Sequence, residues 1–491
     1  MVAPSAGHPR DPVELVFNSQ AESSLNIRYD DAGRLNLSAY FVGSGDEAGL
    51  LMAGSDSFVV APDGLRVVAT SDGTAPLDNA TFSSPALAGG RQFFCRGGRG
   101  LQRRDGGKLC CRNGVNCGRS RFAPASGTRG TLSGGPLSAS DYTNGVAQID
   151  DATYSEVGSV TIAAQALAYL GSPLDVAGAS DPVGRFTPHH FSVSLTTPQF
   201  ETGCAGGGFT YIGQPFNYAT VPVITVTAQN LLGDTTRNYT GNWWKMSTGT
   251  LSGKTYSAAT GSVDTSRLPA ADPTVTDLGA GLGLVTFSSG GGLSMNRGAP
   301  TAPYDAEISL EIAVLDGDGI AATVNPVRFG EATAGNGIAF DAGQAMRWGR
   351  LVLNNAYGSE LLALAMPLRA EYYDGSAFVA NNGDSCTGLP LTQLTLSNGV
   401  ATVSGDNPIA VGSGTTSASL FDPFVSGDAN LSFSAPGDEG FIDVTVGLGS
   451  LDWLRYDWNG DGSHDEDPLG RATFGIYKGR PSLIYLRETY R

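Results

Sequence analysis

The segment EISLEIAVLD, from Glu307 to Asp316, alternates apolar and polar side chains along its length. Successive side chains of a β-strand point to opposite faces, so this alternation predicts a strand with one buried face and one exposed face. The residues expected on the buried face are Ile308, Leu310, Ile312 and Val314.

Other segments carry the same signal. PVITVTAQN, from Pro222 to Asn230, alternates in the same way. ELLALAMPLRAEYY, from Glu360 to Tyr373, has apolar residues at every second position around Pro367, which predicts an edge strand because proline cannot donate to a sheet. Long helical periodicity is absent, and the 68 glycines among 491 residues supply turns. The sequence therefore predicts an all-β fold of tandem antiparallel β-sandwich (Ig-like) domains with glycine-rich loops.

The charge balance excludes two classes of partner. The chain has 30 basic and 47 acidic side chains, for a formal net charge of −17. Such a surface repels nucleic acid and anionic lipid. No apolar run approaches the roughly 18 residues of a membrane-spanning helix, so the chain is not expected to span a membrane. The opening MVAPSAGHPRDP lacks the basic head and apolar core of a secretory signal.

A repeat indicates how the chain is divided. YDDAGRLNLSA, from Tyr29 to Ala39, aligns with YSEVGSVTIAA, from Tyr154 to Ala164, and further on Pro62 aligns with Pro188. This long period predicts tandem sandwiches rather than a short-repeat solenoid. The first copy is short, so we expect it to be the back half of a domain. The predicted domains are a truncated β-domain at 1–64, β-sandwiches at 65–190 and 191–335, and a C-terminal β-domain at 336–491.

Residues 91–121 break the pattern of the chain. This block has eight arginines and one lysine against one acid, Asp105, which gives a local charge of +8. Its four cysteines are Cys95, Cys110, Cys111 and Cys117. Four interpretations stay open: a zinc site, although the usual ligand spacing is missing; a disulfide-stapled basic loop; an anion-binding patch; and a segment translated from a shifted reading frame. The gene's other two frames across the block would test the last, and no function is assigned to these cysteines.

The acidic loop at 457–467 is the candidate metal site. Its sequence matches the first half of the calcium-loop pattern D-x-[DN]-x-[DN]-G, with Gly462 at the turn. Pro468 takes the place of the closing glutamate, and strand-like segments flank the loop, so it is not an EF-hand. An acidic hairpin turn is the alternative, and His464 is expected to face solvent. The predicted calcium ligands are Asp457, Asn459, Asp461, Ser463 through its carbonyl oxygen, and Asp465.

Catalysis has little support in the sequence. GTLSGKT, from Gly249 to Thr255, is one residue too short between its glycines for a phosphate-binding loop. There is no GxSxG elbow, and no motif places a cysteine beside one of the four histidines. Carboxylate pairs abound, but nothing selects one for glycoside hydrolysis. The chain is therefore predicted to be non-enzymatic, without catalytic residues or an organic cofactor.

Several phrases carry a family resemblance. They are GRFTPHHFSV from Gly184, FTYIGQPF from Phe209, NYTGNWWK from Asn238, RWGRLVLNNAYGSELLALAMPLRAEYYDG from Arg347, DSCT from Asp384 and RATFGIYKG from Arg471. With these phrases the chain resembles the C-terminal region of the MshQ family, biogenesis proteins of the mannose-sensitive haemagglutinin (MSHA) type IV pilus. The resemblance covers most of residues 25–491 and is weakest in the block at 91–121, where family members look like ordinary strands.

The resemblance implies a large secreted protein encoded with pilus assembly genes, often with a lectin-like sandwich upstream. The expected function is that of a non-enzymatic extracytoplasmic β-domain protein of MSHA pilus biogenesis or a pilus-associated adhesin, secreted or at the cell surface. The alternatives are a carbohydrate-binding module or glycan-active enzyme, and a purely structural stalk. Expected partners are pilus or cell-envelope proteins and, as a second class, surface glycans. Cys204 and Cys386 lie in family-like phrases, and whether they pair is left open.

Overall fold

A computed structural model describes residues 12–70, 87–88, 93–99, 115–133, 137, 141–143, 145–288, 292–330 and 344–475. The chain divides into two compact units: unit 1 comprises Met1–His189 and Asn230–Tyr239, and unit 2 comprises His190–Gln229 and Thr240–Arg491. In the described residues of both units, the regular secondary structure is almost entirely β-strand, so the predicted all-β class is confirmed. The four predicted domain ranges stay predictions.

Unit 1 contains the first eleven strands. They are β1 (Gly33–Val42), β2 (Leu51–Val60), β3 (Leu65–Thr70), β4 (Leu87–Ala88), β5 (Phe93–Arg99), β6 (Val115–Ala123), β7 (Tyr142–Thr143), β8 (Val146–Ala152), β9 (Gly158–Ala166), β10 (Val176–Ala179) and β11 (Val183–Thr187). Short 3-10 turns lie at Gly45–Glu47 and Tyr169–Gly171.

Two sheets of unit 1 form a sandwich. One has the order β3-β5-β8-β7, and the other has the order β10-β9-β11-β4, with β6 also paired to β9. Apolar side chains from both sheets share one core, including Val67, Ala69, Ile149, Ile162 and Phe186. Within the basic block, the backbone at 93–99 and 115–121 belongs to β5 and β6, whereas the intervening 100–114 lies outside the described residues. None of the four interpretations of that block is tested by this pairing.

The repeat has a structural counterpart. β1 begins at Gly33 and β9 begins at Gly158, which are aligned positions of the two copies. Gly33 is paired with Val60 in the hairpin of β1 and β2, and Gly158 is paired with Phe186 of β11. Val60 and Phe186 also occupy aligned positions. The two copies therefore begin with the same antiparallel pair, and a β-bulge between Gly184 and Phe186 shifts the register of the second copy after it.

Residues 230–239 form a strap that packs against other residues of unit 1. Glu156, only 4% exposed, accepts the backbone N–H groups of Arg237 at 2.6 Å and Asn238 at 3.0 Å. The Asn238 side-chain amide donates to the Thr128 carbonyl oxygen at 2.8 Å. Burial raises the pKa of Glu156 above its ordinary value, although the strap's N–H groups oppose this shift.

Among the described residues, unit 2 contains the other 27 strands. They are β12 (His190–Leu195), β13 (Gln199–Phe200), β14 (Thr210–Tyr211), β15 (Tyr218–Thr220), β16 (Val223–Gln229), β17 (Ser252–Ala258), β18 (Val263–Asp264), β19 (Thr274–Gly279), β20 (Leu282–Thr286), β21 (Ser294–Met295), β22 (Tyr304–Ala306), β23 (Ile308–Ala313), β24 (Val327–Phe329), β25 (Gln344–Arg347), β26 (Gly349–Leu353), β27 (Ala356–Gly358), β28 (Leu364–Ala365), β29 (Leu368–Tyr373), β30 (Phe378–Ala380), β31 (Leu394–Ser397), β32 (Thr402–Ser404), β33 (Ile409–Val411), β34 (Gly414–Thr416), β35 (Ala418–Ser419), β36 (Ser432–Phe433), β37 (Gly440–Val446) and β38 (Leu469–Phe474). Its 3-10 turns are Ala205–Gly207, Gly241–Trp243, Thr248–Thr250, Leu391–Gln393 and Asp452–Leu454.

The larger sheets of unit 2 have the orders β12-β16-β20-β19, β17-β23-β24, β26-β29-β30 and β27-β38-β37-β31-β32. The alternation that predicted β23 is confirmed, because Ile308, Leu310 and Ile312 are each at most 2% exposed. The same holds for β16, where every second side chain is buried. Within the described part of the chain, no helix has the length and apolar character needed to cross a membrane.

The segment from Glu360 to Tyr373 differs from its prediction. It forms two strands, β28 and β29, separated by Met366 and Pro367, rather than one edge strand. β28 lies at the end of its sheet, but β29 is central, paired with both β26 and β30. Pro367 has no N–H to donate, so the interruption falls there and the strand beyond it is free to occupy a central position.

A covalent and hydrogen-bonded brace connects distant parts of unit 2. Cys204 and Cys386, 182 positions apart in sequence, form a disulfide with their Cα atoms 5.6 Å apart. Beside it the carboxylate of Asp384, fully buried, accepts the hydroxyl groups of Tyr211 at 2.8 Å and Thr387 at 2.6 Å. Burial, together with the adjacent Asp384 charge, raises the pKa of Tyr211 well above its ordinary value. We call the disulfide and the Asp384 cluster the brace.

We expect the brace disulfide to contribute substantially to stability. Replacing both Cys204 and Cys386 with serine should lower the free energy of unfolding by about 4–5 kcal/mol, because a cross-link closing so long a loop restricts the unfolded chain strongly. Denaturant unfolding of the parent and the double variant, each with and without dithiothreitol, measures this. A double variant that unfolds at the same denaturant concentration as the oxidised parent would contradict the expectation.

The strap should respond to pH through Glu156. Its pKa is raised by folding, so its ionisation costs stability as the pH rises through the folded-state pKa. Glu156→Gln removes that cost. The difference in melting temperature, variant minus parent, should therefore increase as the pH rises from 4 to 7. The exposed Glu201→Gln controls for the loss of one negative charge. A difference that is flat or falls with pH would show that Glu156 is not the responsible group.

Candidate functional site: the terminal hairpin

The predicted acidic loop lies in a tight hairpin of unit 2. Tyr456 and Glu466 form an antiparallel bridge in which each backbone N–H reaches the other's carbonyl oxygen at 3.3 Å. At the tip, Gly460 and Gly462 have φ values of 80° and 90°. These are left-handed conformations that glycine adopts without steric cost. Residues 456–466 are called the terminal hairpin below.

Hydrogen bonds from the backbone hold the loop in shape. The Asp457 carboxylate accepts the N–H groups of Gly460 at 2.6 Å, Asp461 at 2.9 Å and Gly462 at 3.0 Å. The Asp461 carboxylate accepts the Ser463 N–H at 2.8 Å, and this bond holds the pKa of Asp461 below its ordinary value. Such bonds are typical of acidic turns. Asp457 Oδ1 accepts two of these bonds, but its Oδ2 and both oxygens of Asp461 accept one each and keep a lone pair, so capacity for a cation remains.

Three carboxylates of the hairpin come close together. Asp457, Asp461 and Glu466 each offer an oxygen within 4.8 Å of the others. Clustered carboxylate oxygens are the donors that Ca²⁺ prefers. Glu466 was missed by the sequence analysis, because EF-hand numbering leads to Pro468 as the closing position. Treating the loop as a hairpin would have found it, since Glu466 pairs with Tyr456 at its base.

The remaining predicted ligands surround this group. The Asn459 amide donates to the Asp461 carboxylate at 3.1 Å, and its side-chain oxygen accepts the Asp461 N–H at 2.8 Å. Ser463 and Asp465 are exposed, and Asp465 lies outside the carboxylate group. The group therefore contains two of the predicted residues together with one that was not predicted.

Arg297 fastens the hairpin to the sheet beneath it. Its guanidinium donates to the carbonyl oxygens of Arg455 at 2.6 Å, Gly349 at 2.9 Å and His464 at 3.3 Å. It also lies 3.8 Å from the ring centroid of Trp348. Burial lowers the pKa of Arg297 to about 10, although a nearby carboxylate opposes the shift. One cation thus satisfies three backbone acceptors at the base of the hairpin.

His464 was expected to face solvent, but the structure packs it against other side chains. Its ring packs edge-on against Trp348, with centroids 5.0 Å apart, and against Tyr456 at 5.6 Å. Edge-to-face packing of aromatic rings is favourable because the positive ring edge meets the negative face. His464 is therefore part of the packing that supports the hairpin.

A second arginine lies within an aromatic cage. The Arg350 guanidinium is 3.7 Å from the ring centroid of Phe378, 4.7 Å from that of Tyr456 and 5.4 Å from that of Trp458. It also forms an ion pair with Glu371 at 2.8 Å. Cations are attracted to aromatic faces in such cages. Arg350 comes from β26, Phe378 from β30, and the other two rings from the terminal hairpin. No local sequence pattern could therefore reveal the cage.

Some solved structures share low overall similarity with the chain. The adhesin FdeC of Escherichia coli is 14% identical, covers 83% of this chain and 96% of its own, and has a TM-score of 0.29. The zebrafish RET cadherin-like domains 1 to 4 are 12% identical, cover 92% and 85%, and have a TM-score of 0.24. The titin I-band fragment I67–I69 is 6% identical, covers 80% and 94%, and has a TM-score of 0.22. No curated protein sequence matches the chain.

Family comparison gives three matches along the chain. Residues 2–55 match the domain of unknown function DUF6701, first Ig-like domain. Residues 156–343 match its third domain, and residues 347–489 match its fourth domain, which contains the terminal hairpin. These matches together span most of the sequence. The chain therefore belongs to the DUF6701 multi-domain family, whose first domain is Ig-like.

Proposed function

We propose that this chain is a non-enzymatic, extracytoplasmic β-domain protein that acts in pilus biogenesis or as a pilus-associated adhesive component. The observation that carries the proposal is the disulfide between Cys204 and Cys386, because such bonds persist in oxidising compartments outside the cytoplasm. The phrases that resemble the MshQ family support the pilus assignment. The protein would be secreted or at the cell surface, with pilus or cell-envelope proteins as partners and surface glycans as a second class.

The architecture suits a role in contact and load-bearing. The brace joins residues 182 positions apart by a covalent bond. A pulling force applied outside that segment would pass through the disulfide, leaving the strands between its ends in place. Resistance to a pulling force would suit a protein that keeps a binding surface in position.

The alternatives rest on different features. A glycan-active enzyme needs two carboxyl groups flanking a glycosidic bond, one of them held protonated. In the hairpin, backbone N–H groups favour the charged form of Asp461, which suits a cation better than acid catalysis. A structural stalk would need neither a cation nor a ligand, and the experiments below distinguish it.

The proposal includes calcium at the terminal hairpin. Asp457, Asp461 and Glu466 supply a compact set of carboxylate oxygens. Asn459, Ser463 and Asp465 remain the further ligands predicted from the sequence. Binding would relieve repulsion among the acidic groups and make the hairpin more rigid.

Calcium is expected to raise the melting temperature of the protein. A ligand that binds only the folded state, present at 100 times its dissociation constant, adds about 2.7 kcal/mol of stability. Asp461→Ala should abolish this gain, whereas Asp406→Ala, an exposed acid in another loop, should keep it. Calorimetry with calcium or with a chelator measures the effect. An unchanged melting temperature, or an equal gain in the Asp461 variant, would rule out the site.

Deletion of the gene in the source bacterium tests the cellular role. We expect either loss of surface pili, which would identify an assembly factor, or normal pili with lost adhesion, which would identify an adhesive component. Pili are counted by electron microscopy and adhesion is scored on the same cultures, with the gene restored in trans as the control. Unchanged pili together with unchanged adhesion would refute both forms of the proposal.

A further inference from the structure

Four aromatic rings form a continuous row beside the acidic loop. They are Tyr373, Phe378, Tyr456 and Trp458, and we call them the aromatic strip. Neighbouring ring centroids along the strip are 5.4, 5.2 and 5.0 Å apart. Two of the rings come from paired positions of β29 and β30, and two come from the terminal hairpin. All four belong to unit 2, so the row is fixed by one compact body.

The strip has an inner and an outer side. Arg350 lies against three of its rings, and its side chain is only 18% exposed, so it marks the inner side. Trp348, fully buried, packs on Phe378 and Tyr456 from below. Trp458 is 41% exposed. The outer side therefore presents a tryptophan that packs on the partly buried side chains of Tyr456 and Arg350.

Polar groups border the exposed tryptophan. Asn459 and Asp461 follow it in the loop, and both are exposed. Their side chains contact each other, and each keeps hydrogen-bonding capacity toward solvent. An exposed tryptophan bordered by polar groups offers a ligand an apolar face for stacking and hydrogen-bond partners beside it.

The charges restrict the ligand. The carboxylates of Asp457, Asp461 and Glu466 lie close together beside the strip, and one bound Ca²⁺ would offset only two of their three charges, so the site disfavours an anionic ligand such as a sulfated sugar. An organic cation stacked on the strip would be repelled by the guanidinium of Arg350, which already lies against three of the rings. The complementary ligand is uncharged, has apolar C–H faces to stack on an indole, and has hydroxyl groups for the rim.

We propose that the aromatic strip binds a neutral glycan chain, with Trp458 stacked on one sugar ring and Asn459 and Asp461 hydrogen-bonded to its hydroxyl groups. This inference rests on the proposed adhesive function and names its ligand class.

Affinity electrophoresis of the full chain tests the assignment. Native gels are cast with dextran, pullulan, laminarin or galactomannan, and an array of neutral oligosaccharides is probed in parallel. At least one neutral glycan should retard the protein, and Trp458→Ala should weaken that binding at least tenfold. Trp458→Tyr, which keeps an aromatic face, should retain part of it. Tyr357→Ala, which removes a 60% exposed ring outside the strip, should bind as the parent does.

Heparin and a lysine-rich peptide serve as the charged comparisons. Retardation by neither the four polysaccharides nor any array member would overturn the inference, as would undiminished binding by a folded Trp458→Ala protein. Preference for heparin or for the peptide over every neutral glycan would also overturn it. Each of these results leaves the gene-deletion phenotype to decide the proposed function separately.

Discussion

A carboxylate as deeply buried as that of Asp384 is stable only where donors replace the water it has lost. Tyr211 and Thr387 donate their hydroxyl groups to it, and the backbone N–H of Thr387 adds a third bond at 2.9 Å. Removing one donor would leave the buried carboxylate partly unsatisfied. The hydrogen bonds therefore hold Asp384 and its donors in position. The adjacent disulfide from Cys204 to Cys386 closes the same arrangement covalently. The C-terminal core of unit 2 depends on this brace.

The brace also positions the terminal hairpin. Tyr211 lies in β14, which pairs in parallel with β25 and is opposite Arg347. The next residue, Trp348, supports Arg297 on its ring and contacts His464. Two residues further, Arg350 enters the aromatic cage. An acidic surface loop is thereby carried on a rigid scaffold, the usual arrangement for binding residues on loops.

Local patterns made some of this predictable. The alternation around Leu310 needs only the strand period, and the aligned Gly33 and Gly158 each begin a strand, as the repeat implies. Asp457 was found from the calcium-loop pattern, which is local in sequence. Glu466 was missed because its partner across the hairpin is set by backbone pairing rather than by linear spacing. The brace, including its disulfide, and the Arg350 cage join residues far apart in sequence. Neither the composition nor the period of the sequence carries information about such contacts.

The two proposed ligands of the hairpin would be coupled. Trp458 follows Asp457 directly, and its backbone N–H donates to the Glu466 carboxylate at 3.3 Å. A cation that drew Asp457 and Glu466 together would therefore also fix the backbone on which the indole is carried. The first ligand to bind would bear the conformational-entropy cost of ordering the hairpin, so the second would bind an already ordered loop. Each would therefore raise the affinity of the other by the same factor. Their coupling would make the hairpin one binding element rather than two adjacent sites.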